Sequence, residues 1–388
     1  MCRFRPGSLH HLCLLACAAA CALTVPRCVA GKQTSPAALP APPETPKVEA
    51  APGYLVGVYY FSGWWRAQPN KWVVAGQDWR GAWPGRVPLL GEYNEQATLD
   101  REMAAAAGHG VSFFQMLWYP AGHTPADWAS HPLNAGVRQF LASTNRHGLK
   151  FTIEFVNHPP FDLKSEADWH SACRVWVAAM QDPSYLRVGG RPVFKIHGLD
   201  HFLHQNGGDL RRVAERLRIL RETARDTGLP GLLVGGGVMA SEAATIAPAA
   251  GPYDFLTTYM DVPGLPAAEK PYAYSLLLAV AQRAWQDYAA NCPKPYVPYL
   301  PAGWDPRPWR DPRPAFDPPS RADWVGALRE VKAALDAGPN LGVPEAAGRR
   351  HKMLLIYAWN EFGEGGIVAP TRGDGAMKLE AIEEVFGR

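Results

Sequence analysis

Cysteine is nearly missing from the body of this 388-residue chain. Cys2, Cys13, Cys17, Cys21 and Cys28 crowd into the first thirty residues, and only Cys173 and Cys292 lie beyond them. Two thiols in apolar, helix-like contexts exclude a disulfide framework and any zinc spacing. They read as inert buried thiols, with a single disulfide as the alternative. Net charge is lacking as well. The formal +3 comes from Arg3, Arg5 and Arg27; taking these three from the 39 basic residues leaves 36, matching the 36 acidic ones. A balanced body excludes nucleic acid and anionic membrane surfaces as partners. No G-x-G-x-x-G follows an early strand, and neither Gly207-Gly208 nor Gly235-Gly236-Gly237 precedes a phosphate-type Lys-Ser/Thr. These glycines read as loop breakers, and no cofactor is expected. No short internal repeat is visible.

What is present begins with a leader. Arg3 and Arg5 form a positive start, Leu12 to Val25 an apolar run too short to span a bilayer, and Cys28-Val29-Ala30 a small-residue cleavage site. The expectation is a signal peptide over 1–30 and export to the periplasm, the cell envelope or the medium. Leu15-Ala16-Cys17 and Ala19-Ala20-Cys21 offer the alternative of lipoprotein processing and a lipid anchor. Residues 31–52 follow as a proline-rich linker without aromatic residues, an extended spacer.

From residue 53 to 388, apolar runs alternate with amphipathic stretches. Strands are predicted over Leu55–Tyr60, Val111–Trp118, Phe151–Val156, Pro192–His197, Leu232–Gly235, Phe255–Tyr259, Pro295–Leu300 and Met353–Ala358. Helical periodicity marks Glu95–Ala107, Ala135–Arg146, Ser165–Met180, Leu210–Thr227, Tyr274–Ala290 and Arg321–Leu335. Ser165 and Asp209 suit N-caps; Gly108, Gly148 and Gly228 suit the positions after helix ends. Near-continuous apolar strands alternating with helices imply a parallel sheet covered by helices. A single (β/α)8 TIM barrel, hence an α/β fold in one domain, is the expected architecture. A doubly wound open sheet is the runner-up.

In such a barrel the residues just after each strand form the functional mouth. Here they are Tyr60 and Trp64, Trp118 and Tyr119, Glu154, Lys195 and His197, Tyr259 and Asp261, Trp304 and Asp305, and finally Asn360, Glu361 and Glu364. Aromatic faces suit the C–H surfaces of sugars, and planar polar groups suit vicinal hydroxyls. The expected partner is therefore a carbohydrate, bound by a monomer. Glu361 and Glu364 follow a buried strand among Gly363, Gly365 and Gly366. Two carboxyls at a barrel mouth are what glycoside cleavage requires.

The segment WNEFGEGGIVAPT (359–371) is similar to the strand-8 motif N-E-W-H-E-G-T-Q-I-E-P of glycoside hydrolase family 99 and the related WbsX-like domains. GVYYFSGWW (57–65), GGRPVFKIHG (189–198), YDFLTTYMD (253–261) and YLPAGWDPRPW (299–309) resemble the ends of its other strands. The resemblance covers essentially the whole body. It implies a (β/α)8 barrel with retaining, endo-acting cleavage of α-mannosidic links. It implies that Glu361 acts as base on the sugar's 2-hydroxyl, giving a 1,2-anhydro intermediate. Glu364 would be the general acid, then the base for water. Those roles ask for Glu364 protonated and Glu361 ionised at rest. Phe362, Gly363 and Ala369 stand where the motif has tryptophan, histidine and glutamate.

Other readings remain beside these. Glu154 and Lys195 serve equally as an internal salt bridge or as substrate contacts. Asp261 binds a sugar or caps a loop, and Asp254 reads as structural. Trp64, Trp118 and Trp304, with Trp65, are stacking platforms or core. His197, His201 and His204 mimic a metal site but default to surface or capping roles; no metal is expected. Asn-Glu pairs also close strand 4 in other barrel glycosidases, but this pair follows strand 8. The non-catalytic alternative is a glycan-binding or polysaccharide-assembly protein on the same barrel.

Overall fold

The computed structural model describes residues 53 to 387, apart from 123, 164, 346 and 347. The leader and the linker expected over 1–52 lie outside the described residues. The strands are β1 (Tyr54–Tyr60), β2 (Phe113–Trp118), β3 (Lys150–Phe155), β4 (Arg191–Ile196), β5 (Leu233–Gly237), β6 (Phe255–Thr257), β7 (Tyr296–Val297 and Tyr299–Pro301) and β8 (Arg350–Tyr357). They pair in parallel in that order, and β8 returns to β1, with Leu55 beside Met353 and Val58 beside Ile356. β7 is divided at Pro298, which has no N–H to give. Its first part pairs with β6 and its second with β8, so the sheet closes. Closure removes both sheet edges and gives the expected (β/α)8 barrel.

The main helices are α1 (Gln96–Gly108), α2 (Ala135–Ala142), α3 (Glu166–Met180), α4 (Leu210–Asp226), α5 (Tyr274–Asn291), α6 (Arg321–Ala337) and α7 (Met377–Phe386). Ser165 Oγ accepts the Asp168 amide at 3.0 Å, and Asp209 accepts that of Arg211 at 2.9 Å, so both expected caps form. The left-handed residue beyond α1 is Gly110 (φ 81°) rather than Gly108, which stays helical. α2 stops at Ala142, four residues short of the expected end. Between β5 and β6 the strand–helix alternation lapses. One 3-10 turn, Ala240–Glu242, and one α-helical turn, Ala247–Ala250, fit into a stretch that Pro248 and Pro252 interrupt.

The apolar seam between strands and helices is aromatic. Trp118 packs edge-on to Trp176 of α3 with centroids 5.2 Å apart, and Trp169 meets Phe202 at 5.3 Å. Cys173 and Cys292 are buried and free, so the disulfide alternative falls. Among the described residues no helix is long and apolar enough to cross a membrane.

Gly235, Gly236 and Gly237 are not loop breakers; they lie within β5. A Cβ on Gly237 would sit 1.7 Å from the His197 carbonyl oxygen, and one on Gly235 would sit 2.5 Å from the Phe255 ring. The strand is built of glycine because its neighbours leave no room. Gly237→Ala should therefore cost about 3 kcal/mol through overpacking against backbone. Gly326→Ala, in α6 with nothing within 4 Å of the new methyl, should gain about 0.5–1 kcal/mol. Urea midpoints of the two variants, moving in opposite directions, check both.

Candidate active site

The chain leaves β8 and turns back within a few residues. Asn360 pairs with Ile367 and Glu361 with Gly366 in a two-rung antiparallel hairpin. Its turn is closed by the Glu364 and Gly365 amides, which donate to the Glu361 carbonyl at 3.0 and 2.9 Å. Gly365 is left-handed (φ 82°), and a Cβ there would lie 2.8 Å from the Asp305 nitrogen. That contact carries a hydrogen bond from the Asp305 amide to the Glu364 carbonyl at 2.6 Å, docking the β7 loop on the turn. A residue spacing of three in such a turn brings the two carboxyls within reach of each other's charge.

Asn360 holds the hairpin in place. Its amide accepts from Phe61 N and donates to Phe61 O, both at 2.8 Å, and its carbonyl accepts the Trp64 indole at 2.8 Å. Trp64 is itself 1% exposed, within 4.2 Å of Trp72 and 5.2 Å of Phe362 ring to ring. Asp305 accepts from both Arg86 and Arg307, and Asp261 takes the amides of Ala240 and Val262 at 2.8 Å. The structure thus gives Asn360 and Asp305 scaffold contacts, where the sequence suggested substrate contacts, and gives Trp64 and Asp261 the core and loop-capping contacts that stood as their alternatives.

The tyrosines around the pair divide by strand alternation. Tyr59 faces the barrel interior and Tyr60 the opposite side, where its hydroxyl donates to Glu102 of α1 at 2.8 Å. Trp118 likewise faces α3 rather than the mouth. Tyr259 is the hub of the interior. Its hydroxyl donates to Glu361 Oε1 at 3.0 Å, and its ring meets Tyr59 at 4.7 Å, Tyr357 at 4.9 Å and His197 at 4.8 Å. Tyr357 donates to Glu364 Oε2. Burial, then nearby carboxylate charge, holds both phenols well above their usual range, so they remain neutral donors. Trp304 stands 6.0 Å from Tyr357, under the Arg313 guanidinium at 4.4 Å, and Tyr119 packs edge-on to Phe161.

Below this layer Glu154 and Lys195 sit side by side in the β3–β4 register. Lys195 Nζ lies 3.0 Å from Glu154 Oε1 and donates to Tyr59 at 2.9 Å; His197 Nδ1 reaches the same carboxylate oxygen at 2.6 Å. Burial alone would raise Glu154, but Lys195 and His197 outweigh it and hold the carboxyl below its ordinary value. Lys195 is lowered by burial, against the pull of Glu154. The salt-bridge reading describes this contact, and His197 belongs to it instead of the surface.

Both carboxyls of the pair are pushed up by burial. Glu361 also feels the charge of Glu364 and is driven well above the carboxylate range. At Glu364 the Arg313 guanidinium, 3.8 Å away, and the Tyr357 hydroxyl favour the anion. Each carboxyl has one phenol, but the guanidinium stands at Glu364, so burial and the partner's charge weigh more on Glu361. The resemblance implied the proton on Glu364 and the anion on Glu361; the charges around the pair favour the opposite order. A carboxyl pair that shares one proton can donate a proton and accept one or attack.

Several members of this constellation escaped the sequence reading. Tyr59 and Tyr357 could have been found by counting alternate residues back from the strand ends. Lys71 and Arg313 lie in long loops, where no periodicity points to them.

No protein-family model matches the chain, and no curated protein matches it. Solved structures match by fold. A glycoside hydrolase-like protein aligns with TM-score 0.62 at 16% identity, over 90% of this chain and 97% of that one. The GH99 endo-alpha-mannosidase from Bacteroides thetaiotaomicron aligns with TM-score 0.53 at 15% identity, over 85% of this chain and 95% of that one. The same enzyme in complex with BIS-TRIS-Propane gives 0.52 at 16%. At these identities the likeness establishes the barrel.

Glu102 supports the wall behind Asn360 and adds a pH dependence. Burial pushes it up to about 7, against its hydrogen bond from Tyr60. A raised carboxyl contributes stability that is complete below the unfolded value near 4.5 and is lost as pH rises through about 7. The loss is on the order of 3 kcal/mol. Glu102→Gln should lack it, so urea unfolding of the variant relative to wild type should improve by that amount between about pH 4 and about pH 8.

Proposed function

We propose that this protein is a glycoside hydrolase acting on a polysaccharide or glycan, with Glu361 and Glu364 as its catalytic pair and residues 53–388 as its catalytic domain. The observation that carries the proposal is the pair itself: a buried carboxyl and a half-buried one in one turn beyond β8 of a closed barrel, each bonded to a neutral tyrosine. The fold shared with a glycoside hydrolase-like protein and with a GH99 endo-alpha-mannosidase supports it. The strand-8 motif extends the reading to endo-acting, retaining cleavage of an α-mannosidic link. Export through the 1–30 leader and the 31–52 spacer belongs to the same reading, with a lipid anchor as its variant.

In this reading one carboxyl protonates the departing oxygen while the other works on the sugar or its 2-hydroxyl. Tyr259 and Tyr357 fix the two side chains and stabilise the ionised forms. Water then completes hydrolysis with the roles reversed. Lys195, Glu154 and His197 brace Tyr59 and Tyr259 from below.

A second reading keeps the barrel as a glycan-binding or assembly protein. It draws on Gly363, whose missing side chain is replaced by the Trp309 ring: a Cβ there would lie 2.0 Å from Trp309 Cε2.

Glu361→Gln and Glu364→Gln should each lower turnover of an unactivated glycan by about 100- to 10,000-fold, read by product release in mass spectrometry. Aryl glycosides with good leaving groups assign the roles, because only the variant lacking the acid regains its rate on them. Wild-type turnover in both variants would refute the pair, and glycan binding without product from the wild type would select the second reading.

A further inference from the structure

Lys71 is a cation beside the pair with no anion of its own. Its ammonium lies 5.0 Å from the Trp309 ring centroid and 5.4 Å from that of Phe61, and it makes no hydrogen bond or ion pair among the described residues. Both Glu361 and Glu364 feel its charge, which lowers each of them against the effect of burial. The side chain is half-buried.

Its backbone is fastened from both sides. The Trp79 indole donates to the Lys71 carbonyl at 2.8 Å, and the next residue's amide, Trp72 N, donates to Asn70 Oδ1 at 2.9 Å. Trp72 in turn stacks on Phe362 of the catalytic turn with centroids 5.4 Å apart and planes 23° from parallel, and its indole donates to Glu92 O at 2.9 Å. The β1–α1 loop is thereby stapled to the hairpin that carries the carboxyls. A lysine that merely solvated the surface would not need such a mount, and one that served the pair as a salt bridge would touch it.

Positive charge also exceeds negative charge next door. Arg86 and Arg307 share the single carboxylate of Asp305, and both guanidiniums lie over Trp83, at 4.6 and 5.0 Å. Arg313 is already committed to Asp311, 2.7 Å away. Among the described residues around the turn, Lys71 is thus a cation left available to a ligand, beside the half-buried Trp309 ring, which can receive a sugar ring.

We infer that the hollow takes a sugar carrying an anionic substituent, a carboxylate, sulfate or phosphate ester, and that Lys71 is the residue that binds it. The inference rests on the glycan reading of the site and names its substrate class. A charged oxygen at hydrogen-bond distance from Nζ would complete the lysine's pairing, while the Trp309 ring would cover the sugar.

The test is calorimetric titration of the full chain with matched oligosaccharides: a hexuronate oligomer and its carboxyl-reduced form, and sulfated and phosphorylated mannose oligomers with their unsubstituted parents. The anionic member of at least one pair should bind about tenfold more tightly than its neutral partner. Added salt should shrink that margin. Lys71→Met should erase the margin, and Lys71→Arg should keep it. The three pairs separate carboxylate, sulfate and phosphate as its source. Equal affinities within every pair, a margin that survives Lys71→Met, or no binding to any member would overturn the inference. The glycosidase reading is tested separately, because Glu361→Gln and Glu364→Gln act on product release and not on the anionic margin.

Discussion

Two carboxyls brought out of water into the same turn cannot both carry charge without compensation, and much of the surrounding structure answers to that constraint. The nearest compensation is unequal. Glu364 has a guanidinium and a phenol beside it, whereas Glu361 has a phenol and the charge of Glu364. Inequality of this kind separates the two protonation steps and leaves one acid next to one base. The neutral tyrosines suit the same constraint, since a donor without a formal charge can orient a carboxyl in either state.

Holding the turn rigid is the second requirement, and backbone-to-backbone contact meets it. The Asn360 amide clasps both polar groups of Phe61, the Trp64 indole caps the Asn360 carbonyl, and the β7 loop bonds to Glu364 O. Side chains longer than hydrogen would separate these segments at Gly303 and Gly365, where the Gly365 oxygen lies 2.6 Å from a Cβ built on Gly303. The glycines and the asparagine of the motif therefore serve the placement of the two glutamates. Below them the Glu154–Lys195–His197 group fills the barrel interior with paired charge, as a buried ion needs.

How much of this could be read in advance depended on whether a local pattern carried it. The eight barrel strands were legible from apolar runs, and β7 even across the proline that splits its pairing. The hairpin turn was legible from carboxyls set among glycines. Tyr60 was legible as a strand end but not by face, because a one-residue shift in register turns a side chain from the interior to the helix layer. Trp118 failed for the same reason. The β5 glycines looked like a loop because composition does not show that His197 O and Phe255 crowd that strand.

The amino-acid sequence alone determined the repeating order of strand and helix, the closed parallel sheet that follows from it, and the presence of two acids just past the last strand. These rest on period and composition, which are properties of neighbours along the chain. Only the tertiary structure decided which tyrosine meets which carboxyl, which acid has the guanidinium beside it, and that Lys71 and Arg313 reach the same pair from loops far apart in sequence. Those outcomes depend on burial and on charges brought together through space, and no local pattern encodes the distance between them.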